Sequence, residues 1–299
     1  MKIIQWEDTG YPESLKEIES PPSTLYCLGN TKLLNSPNLA IVGSRKASEY
    51  GKRQAYQFAQ VLAKSGMTIV SGMALGIDTQ AHLGALKVKQ KTIAVLGSGF
   101  HHIYPPENET LFCEILEKDG LILSEYEPNQ TVKSSHFPAR NRIISGLSQG
   151  VLVVEAAYRS GSSITAQYAK RQKRKIYAIP SNIGNKNGVG TARLIRQGAK
   201  IVISPQDILE DFEELCKNDK IKLPKQKEKQ DFSRHRKRNV PETYQPIYQL
   251  LEKENSTLDG LAMNLELSVS EISTTLILME IEGYIQKNRQ GEYQIQDGF

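Results

Sequence analysis

From residue 38 onward the chain alternates short apolar runs with turns and amphipathic stretches. The runs are "LAIVG" (39–43), "MTIVSG" (67–72), "TIAVLG" (92–97), "LILSE" (121–125), "VLVVEA" (151–156), "KIYAIP" (175–180) and "KIVIS" (200–204). They are apolar nearly throughout, as strands covered on both faces are, and do not alternate with polar residues. Between them Ala55, Phe58, Ala59, Leu62 and Ala63 recur at helical spacing ahead of Gly66, and "SSITAQYAKRQKRK" joins the fifth and sixth runs with a second helical pattern. Repetition of strand, turn and helix predicts an α/β fold with an extended Rossmann-like, doubly wound, mainly parallel sheet. In such sheets ligands sit beyond the C-terminal ends of the strands where the winding reverses. The turns after the strands are therefore where chemistry is sought.

The flanks read differently. Residues 1–38, with "YPESLKEIESPPSTLYCLGN", predict a Pro-rich lead-in with one short helix at most, and residues 39–216 the sheet domain, closed by a helix from Pro205 to Leu215. Residues 217–240 hold too little apolar content to fold alone and predict a linker. Residues 241–299 show three helical patterns, "YQPIYQLLEK", "TLDGLAMNLE" and "SVSEISTTLILMEIEGYI", then a hairpin, "IQKNRQGEYQI", the order of a small winged helix. At 299 residues and 39% hydrophobic, the chain has material for one sizeable core and a smaller second one.

Charge sharpens this division. The net charge is +5, yet the linker holds 10 Lys/Arg against 3 Asp/Glu and the terminal module 3 against 10. A basic main domain and linker ahead of an acidic module predict different partners at the two ends. A helix that reads duplex DNA presents Arg, Lys, Asn or Gln to the groove. The third helix of the module offers Glu271, Glu280 and Glu282 and no basic residue, so protein contact is its expected role, with Lys287 and Arg289 in the wing as cations for weak DNA contact. No run approaches the roughly 20 apolar residues of a membrane span, and "MKIIQWEDTG" lacks the apolar run of a secretion signal. A cytoplasmic protein with no membrane partner is expected. Cys27, Cys113 and Cys216 are odd in number and far apart, which supports neither a disulfide framework nor a zinc site.

Several turns invite chemistry. In "GSRKAS" (43–48) Gly43 can adopt angles barred to other residues, the following helix N-terminus offers free N–H groups to an anion, and Arg45 adds a bidentate phosphate donor. In "VSGMALGIDTQAH" (70–82) Asp78 and His82 are spaced to face one another on a helix, and a capping and packing pair is the favoured reading over an acid/base pair. "VLGSGFHHIYPPEN" (95–108) lacks the dinucleotide fingerprint because His102 stands in place of its third glycine, so no nicotinamide cofactor is expected. Neither is a metal at the adjacent His101 and His102. The stretch "VKSSHFPARNRIISG" (132–146) combines Lys133, Arg140 and Arg142 for phosphates, Phe137 for stacking a base, and Asn141 for a base edge or for bracing the loop. That combination suits single-stranded nucleic acid. The competing structural reading pairs Arg140 and Arg142 with Glu125 or Glu155 and places Phe137 in the core. In "EAAYRSGSSITAQYAKRQKRK" (155–175), Gly161, Ser162 and Ser163 open a helix toward the same edge of the sheet. The cluster Lys170, Arg171, Lys173, Arg174 and Lys175 at its far end reads as a solvated helix terminus.

Taken together, "AIVGSRKAS", "VSGMALGIDTQAH", "TIAVLGSGF…YPPEN", "LSEY", "HFPARNRIISGLS", "VVEA…SGSSITA" and the terminal winged helix resemble the bacterial DNA-processing protein A family (DprA, also called Smf) over nearly the whole chain. The resemblance implies a single-stranded DNA-binding protein that forms a homodimer, protects incoming single strands and helps load the recombinase RecA during natural transformation. It implies no catalysis and no cofactor. Carried onto this chain, the DNA site comprises Gly43, Ser44, Arg45, Lys133, Phe137, Arg140, Asn141 and Arg142. Many members carry an N-terminal helical domain for which this chain has too few residues ahead of the sheet. The alternative on the same scaffold is a nucleotide-phosphate hydrolase similar to the phosphoribohydrolases. Those carry a P-G-G-x-G-T loop followed by a catalytic Glu, where this chain has "RSGSSITAQ".

Overall fold

The computed structural model describes residues 1–212 apart from 159, and residues 240–295 apart from 242, 253, 266, 289 and 290. The linker expected at 217–240 therefore lies outside the described residues except for Val240, as do Cys216 and the wing residue Arg289. The chain divides into two compact units, Met1–Lys225 and Gln226–Phe299.

The first unit is built on one nine-stranded sheet. Its parallel part comprises β3 (Asn38–Val42), β4 (Thr68–Ser71), β5 (Thr92–Val95), β6 (Leu121–Ser124), β7 (Gly150–Val153), β8 (Lys175–Ala178) and β9 (Lys200–Ile201), one strand for each apolar run. The first 38 residues depart from the expected lead-in. β1 (Lys2–Gln5) and β2 (Thr24–Gly29) join the sheet antiparallel, β2 pairing with β6, with the short α1 (Glu13–Lys16) between them. The Pro-rich composition hid an edge strand, β1, that buries Ile4 alone, and β2, which alternates buried and half-exposed residues and sends Leu25 and Cys27 into the core.

Strand order is β1-β2-β6-β5-β4-β3-β7-β8-β9. The chain winds outward from β3 to β6 and then returns to lay β7 on the other side of β3, so the winding reverses between β3 and β7. β3 to β7 are buried at every position, which explains their unbroken apolar runs. Successive side chains alternate faces: Leu39 and Ile41 pack under α2 (Glu49–Lys64) and α3 (Ile77–Lys87), whereas Ala40 and Val42 belong to the opposite core. α4 (Glu109–Glu117) shares a cluster with Leu86 of α3. The other face is covered by α5 (His136–Gly146), α6 (Gly161–Arg171) and α7 (Val189–Arg196), through Ile143, Ile144, Ala166, Ala169 and Leu194. A short α8 (Gln206–Leu209) and a 3-10 turn through Phe212 begin where the closing helix is expected.

The second unit has its own core of Ile247, Tyr248, Leu251, Leu261, Ile272, Leu276, Met279 and Ile285. It contains α9 (Gln245–Leu251), α10 (Leu258–Leu265), α11 (Val269–Ile281) and an antiparallel hairpin of β10 (Ile285–Lys287) and β11 (Tyr293–Ile295). Ser256 bridges to Tyr293 and adds a third rung beside the hairpin. A capping box, Ser268 with Glu271, starts α11, so Glu271 is committed to the helix end.

Candidate nucleic-acid interface

Where the winding reverses, a cleft of about 720 Å³ opens beyond the ends of β3 and β7. Its walls are the turn Gly43–Lys46 after β3, the face of α5 bearing Phe137 and Asn141, the start of α6 from Ser160, and Asn187 ahead of α7. The turn is held by close packing and not by special angles. A Cβ on Gly43 would stand 2.5 Å from Ile77 Cγ1 and 2.9 Å from the Glu155 carbonyl oxygen. Gly76, at φ +79°, brings the α3 turn against the backbone of Ser44 and Arg45, and the Ile77 N–H donates to the Ser44 carbonyl at 3.3 Å. The effect is to present Arg45 and Lys46 to solvent from a rigid base.

The anion site expected at the N-terminus of α2 is occupied from within the chain. Glu155, 2% exposed, accepts from the Ser48 N–H at 2.9 Å and the Ser48 hydroxyl at 2.5 Å, while Ser48 Oγ accepts from the Gly51 N–H at 3.0 Å. A carboxylate already meets the positive end of the helix. The opening of α6 is different. Its N-cap, Ser160, makes no side-chain capping bond, and a Cβ on Gly161 would meet nothing within 4 Å. The first turn of α6 thus faces open space in the cleft.

The stretch "HFPARNR" forms the first turns of α5 and splits into two roles. Phe137 is half-buried, not core; its ring lies 5.3 Å from that of Tyr104, and the Arg45 guanidinium sits over it at 5.1 Å. Next to it His136 stacks on Tyr126 at 4.0 Å. Arg45, Tyr104 and Phe137 together line the mouth of the cleft. Asn141 braces the site, donating through Nδ2 to the Gly161 carbonyl at 3.2 Å.

Arg140 and Arg142 both bond to groups within the protein, and Arg140 also lines the cleft, with its Nε without a partner. Arg140 is 3% exposed and lies beneath the turns after β4 and β5, donating through Nη1 to the Gly72 carbonyl at 2.6 Å and to the Val95 carbonyl. Burial lowers it to about 10, with the nearby Asp78 charge opposing the shift, so it remains a cation at neutral pH. Arg142 makes a bidentate pair with Glu125 at 2.7 and 2.6 Å and donates through Nε to the Ser20 carbonyl at 2.9 Å. Its donors are spent inside the protein, as the competing reading anticipated for this residue, whereas Arg140 meets carbonyl oxygens and neither proposed glutamate. Lys133 is exposed and outside the cleft walls.

Asp78 and His82 do not pair with each other. Asp78 accepts from the Gly72 N–H at 3.1 Å; burial raises its carboxyl, against the pull of the Arg140 charge and backbone donors. Thr92 donates its hydroxyl proton to the Ile69 carbonyl, which leaves His82 Nδ1–H as donor to Thr92 Oγ1 at 2.8 Å and Nε2 bare in the core. Burial drives His82 down to about 3. His101 bonds Asn129 at 2.7 Å, and among the described residues no group of His, Cys, Asp and Glu gathers into a metal site. Lys46, Tyr104, Ser160 and Asn187 complete the cleft without having been singled out in the sequence. Lys46 adjoined a flagged arginine; the others come from turns whose meeting only the sheet order reveals.

A family model described as DNA recombination-mediator protein A matches residues 2–213. The chain belongs to this family. Protein Smf of Synechocystis is 36% identical over 96% of this chain and 78% of its own length. The crystal structure of DNA processing protein A from Streptococcus pneumoniae is 44% identical, covers 70% of this chain and 74% of that one, and superposes with a TM-score of 0.67. That of the Helicobacter pylori protein, whose description concerns its binding of single-stranded DNA, is 33% identical, covers 71% and 96%, and has a TM-score of 0.64. The residues matched by the family model lie in the first unit, which contains the cleft, and the Synechocystis match extends beyond it. Among the described residues no single helix is long and apolar enough to cross a membrane.

Proposed function

We propose that the cleft between β3 and β7 binds single-stranded DNA and that the protein is a cytoplasmic recombination mediator, protecting the strand and presenting it to RecA as a homodimer. The observation that carries this reading is the mouth of the cleft, where the Arg45 guanidinium sits over the half-buried Phe137 ring and Lys46 lies in the same lining. An aromatic face for a base beside cations for its phosphates binds a strand with little regard to sequence. Contacts come from Gly43, Ser44, Arg45, Lys46, Phe137 and the first turn of α6, with Lys133 as an outlying cation. Arg140, Asn141 and Arg142 position them. The family match and the DNA-binding relative support the reading, and the family resemblance supports RecA loading and the homodimer.

A non-enzymatic role is favoured over nucleotide hydrolysis because Glu155, the acid nearest the α6 loop in sequence, is bound to Ser48 and serves as a helix cap. The test follows RecA assembly on single strands already coated with single-strand-binding protein. The wild type shortens the lag and Arg45→Glu does not. Release of free base from a nucleotide by the wild type, with no effect on RecA assembly, would sink the proposal in favour of the hydrolase.

A further inference from the structure

The third helix of the second unit has two apolar sides, and the fold uses one of them. α11 turns Ile272, Leu276 and Met279 into that unit's core, each no more than 1% exposed. Their spacing, i, i+4 and i+7, marks a single side of the helix. The opposite side carries Ser270, Thr274, Ile277 and Leu278, all exposed, with Ile277 and Leu278 keeping 52% and 44% of their surface. Thr274 lies three and four positions before this pair, so the three side chains are neighbours on one surface. Val269 at the head of α11, and Leu267 and Met263 before it, are exposed as well, at 46%, 48% and 85%. A lone exposed apolar residue needs no explanation, whereas five large ones within 263–278 mark a contact surface.

Charge decides what such a surface fits. The recognition helix of a helix-turn-helix reader presents its outer side to the major groove. The outer side of α11 holds no cation, and acids flank its apolar pair: Glu280 stands three positions after Ile277, and Glu282 four after Leu278. Glu280 and Glu282 are both exposed, and one oxygen of Glu282 accepts from the Tyr244 hydroxyl at 3.2 Å. Among the described residues every ion pair lies in the first unit, so no cation of the second unit offsets these carboxylates. With 10 acidic residues against 3 basic ones in 241–299, a nucleic-acid backbone, an anionic lipid surface or a second copy of the module would each bring like charge to this face. A basic amphipathic helix brings the opposite charge together with an apolar row.

We propose that the outer face of α11 docks a basic amphipathic helix of a partner protein, with the partner's apolar row seated on Ile277 and Leu278 and its Lys or Arg side chains reaching Glu280 and Glu282. This surface belongs to the second unit, and its role does not depend on how the cleft is used. The capping box of Ser268 and Glu271 fixes the start of the helix, so the face is presented on a defined element and not on a loop.

The test uses a labelled synthetic peptide of Ala, Leu and Lys, about 18 residues long so that it holds a helix, with Leu at i, i+4 and i+7 and Lys on the flanks. Its controls are a scrambled peptide of the same composition and one with Glu in place of Lys. Binding to the full chain is read by fluorescence anisotropy for the wild type, Ile277→Ser/Leu278→Ser, Glu280→Lys and a control, Tyr50→Ser/Val61→Ser, which removes exposed apolar side chains from α2. Circular dichroism and a thermal melt of each variant check the fold, and Glu280→Lys changes charge while leaving every apolar side chain in place. The amphipathic basic peptide binds the wild type and the control alike, and about tenfold more weakly to the double variant, ~1.4 kcal/mol. Glu280→Lys weakens it too, and added salt narrows that difference. The scrambled and acidic peptides bind the wild type at least about tenfold more weakly than the amphipathic basic one. Equal binding of the scrambled or the acidic peptide, or no loss in either folded variant, would overturn the inference. So would a smaller assembly of the double variant in sedimentation, which would give the face to a second copy, or its loss of binding to vesicles of phosphatidylcholine and phosphatidylglycerol, which would give it to a lipid surface.

Discussion

Arg140 and Arg142 are two positions apart on α5 and differ: Arg142 spends its donors on Glu125 and on backbone carbonyls, whereas Arg140 lines the cleft with Nη1 bonded to two carbonyls and Nε without a partner. Arg142 and Glu125 retain 11% and 15% side-chain exposure, so Arg142→Ala strands a carboxylate in a mostly desolvated place. The expected cost is about 3 kcal/mol of stability, read as a lowered urea midpoint, whereas Arg45→Ala leaves the midpoint unchanged and weakens binding to single-stranded DNA. His82 supplies a pH test. Its folded value of about 3 lies below its ordinary 6.5, so between these limits the unfolded chain binds the extra proton and stability falls as pH falls. The slope is up to about 1.4 kcal/mol per pH unit below pH 6.5. In His82→Phe that contribution is absent, and urea titrations from pH 7 to 4 show the flatter profile; equal slopes in the two proteins would contradict the assignment.

At the scale of elements, two glycines at the cleft differ in what they are for. Gly43 is required by packing, since any side chain there meets Ile77 and the Glu155 carbonyl. Gly161 begins α6 with open space around it, so the fold accepts a side chain and only a ligand would object. Gly161→Glu adds an acid to the first turn, which suits the helix, and it is expected to keep or raise Tm while lowering affinity for single-stranded DNA about tenfold, ~1.4 kcal/mol. Loss of fold in this variant, or unchanged affinity, would count against the first turn of α6 as part of the interface. The strands were legible because burial on both faces leaves unbroken apolar runs, and α2 because its buried face recurs at helical spacing. α5 was not legible as a helix. Pro138 and two arginines obscure its period, and the burial of Arg140 depends on turns 68 and 45 residues away in the chain. The Glu155 cap on α2 was hidden for the same reason, its partner being 107 residues distant.

At the scale of the whole molecule, the charge division favours the first unit over the second for the proposed nucleic-acid binding. Residues 241–299 hold 10 acidic residues against 3 basic ones, and α11 presents no basic side chain. A chain truncated after Lys225 is therefore expected to bind single strands within about twofold of the full chain, roughly 0.4 kcal/mol, and the isolated second unit not to bind; gel shifts with both pieces check this. Duplex binding by the second unit alone would mark it as a reader of double-stranded DNA and contradict the charge argument. The most direct test of the cleft as the binding site compares a single strand with the matching duplex over a salt series for the wild type, Arg45→Glu and Phe137→Ala, with Tm recorded for each. The account predicts salt-sensitive binding that favours the single strand and is lost in Arg45→Glu and weakened in Phe137→Ala at unchanged Tm. Equal affinity for the duplex, or well-folded variants that bind as the wild type does, would contradict it.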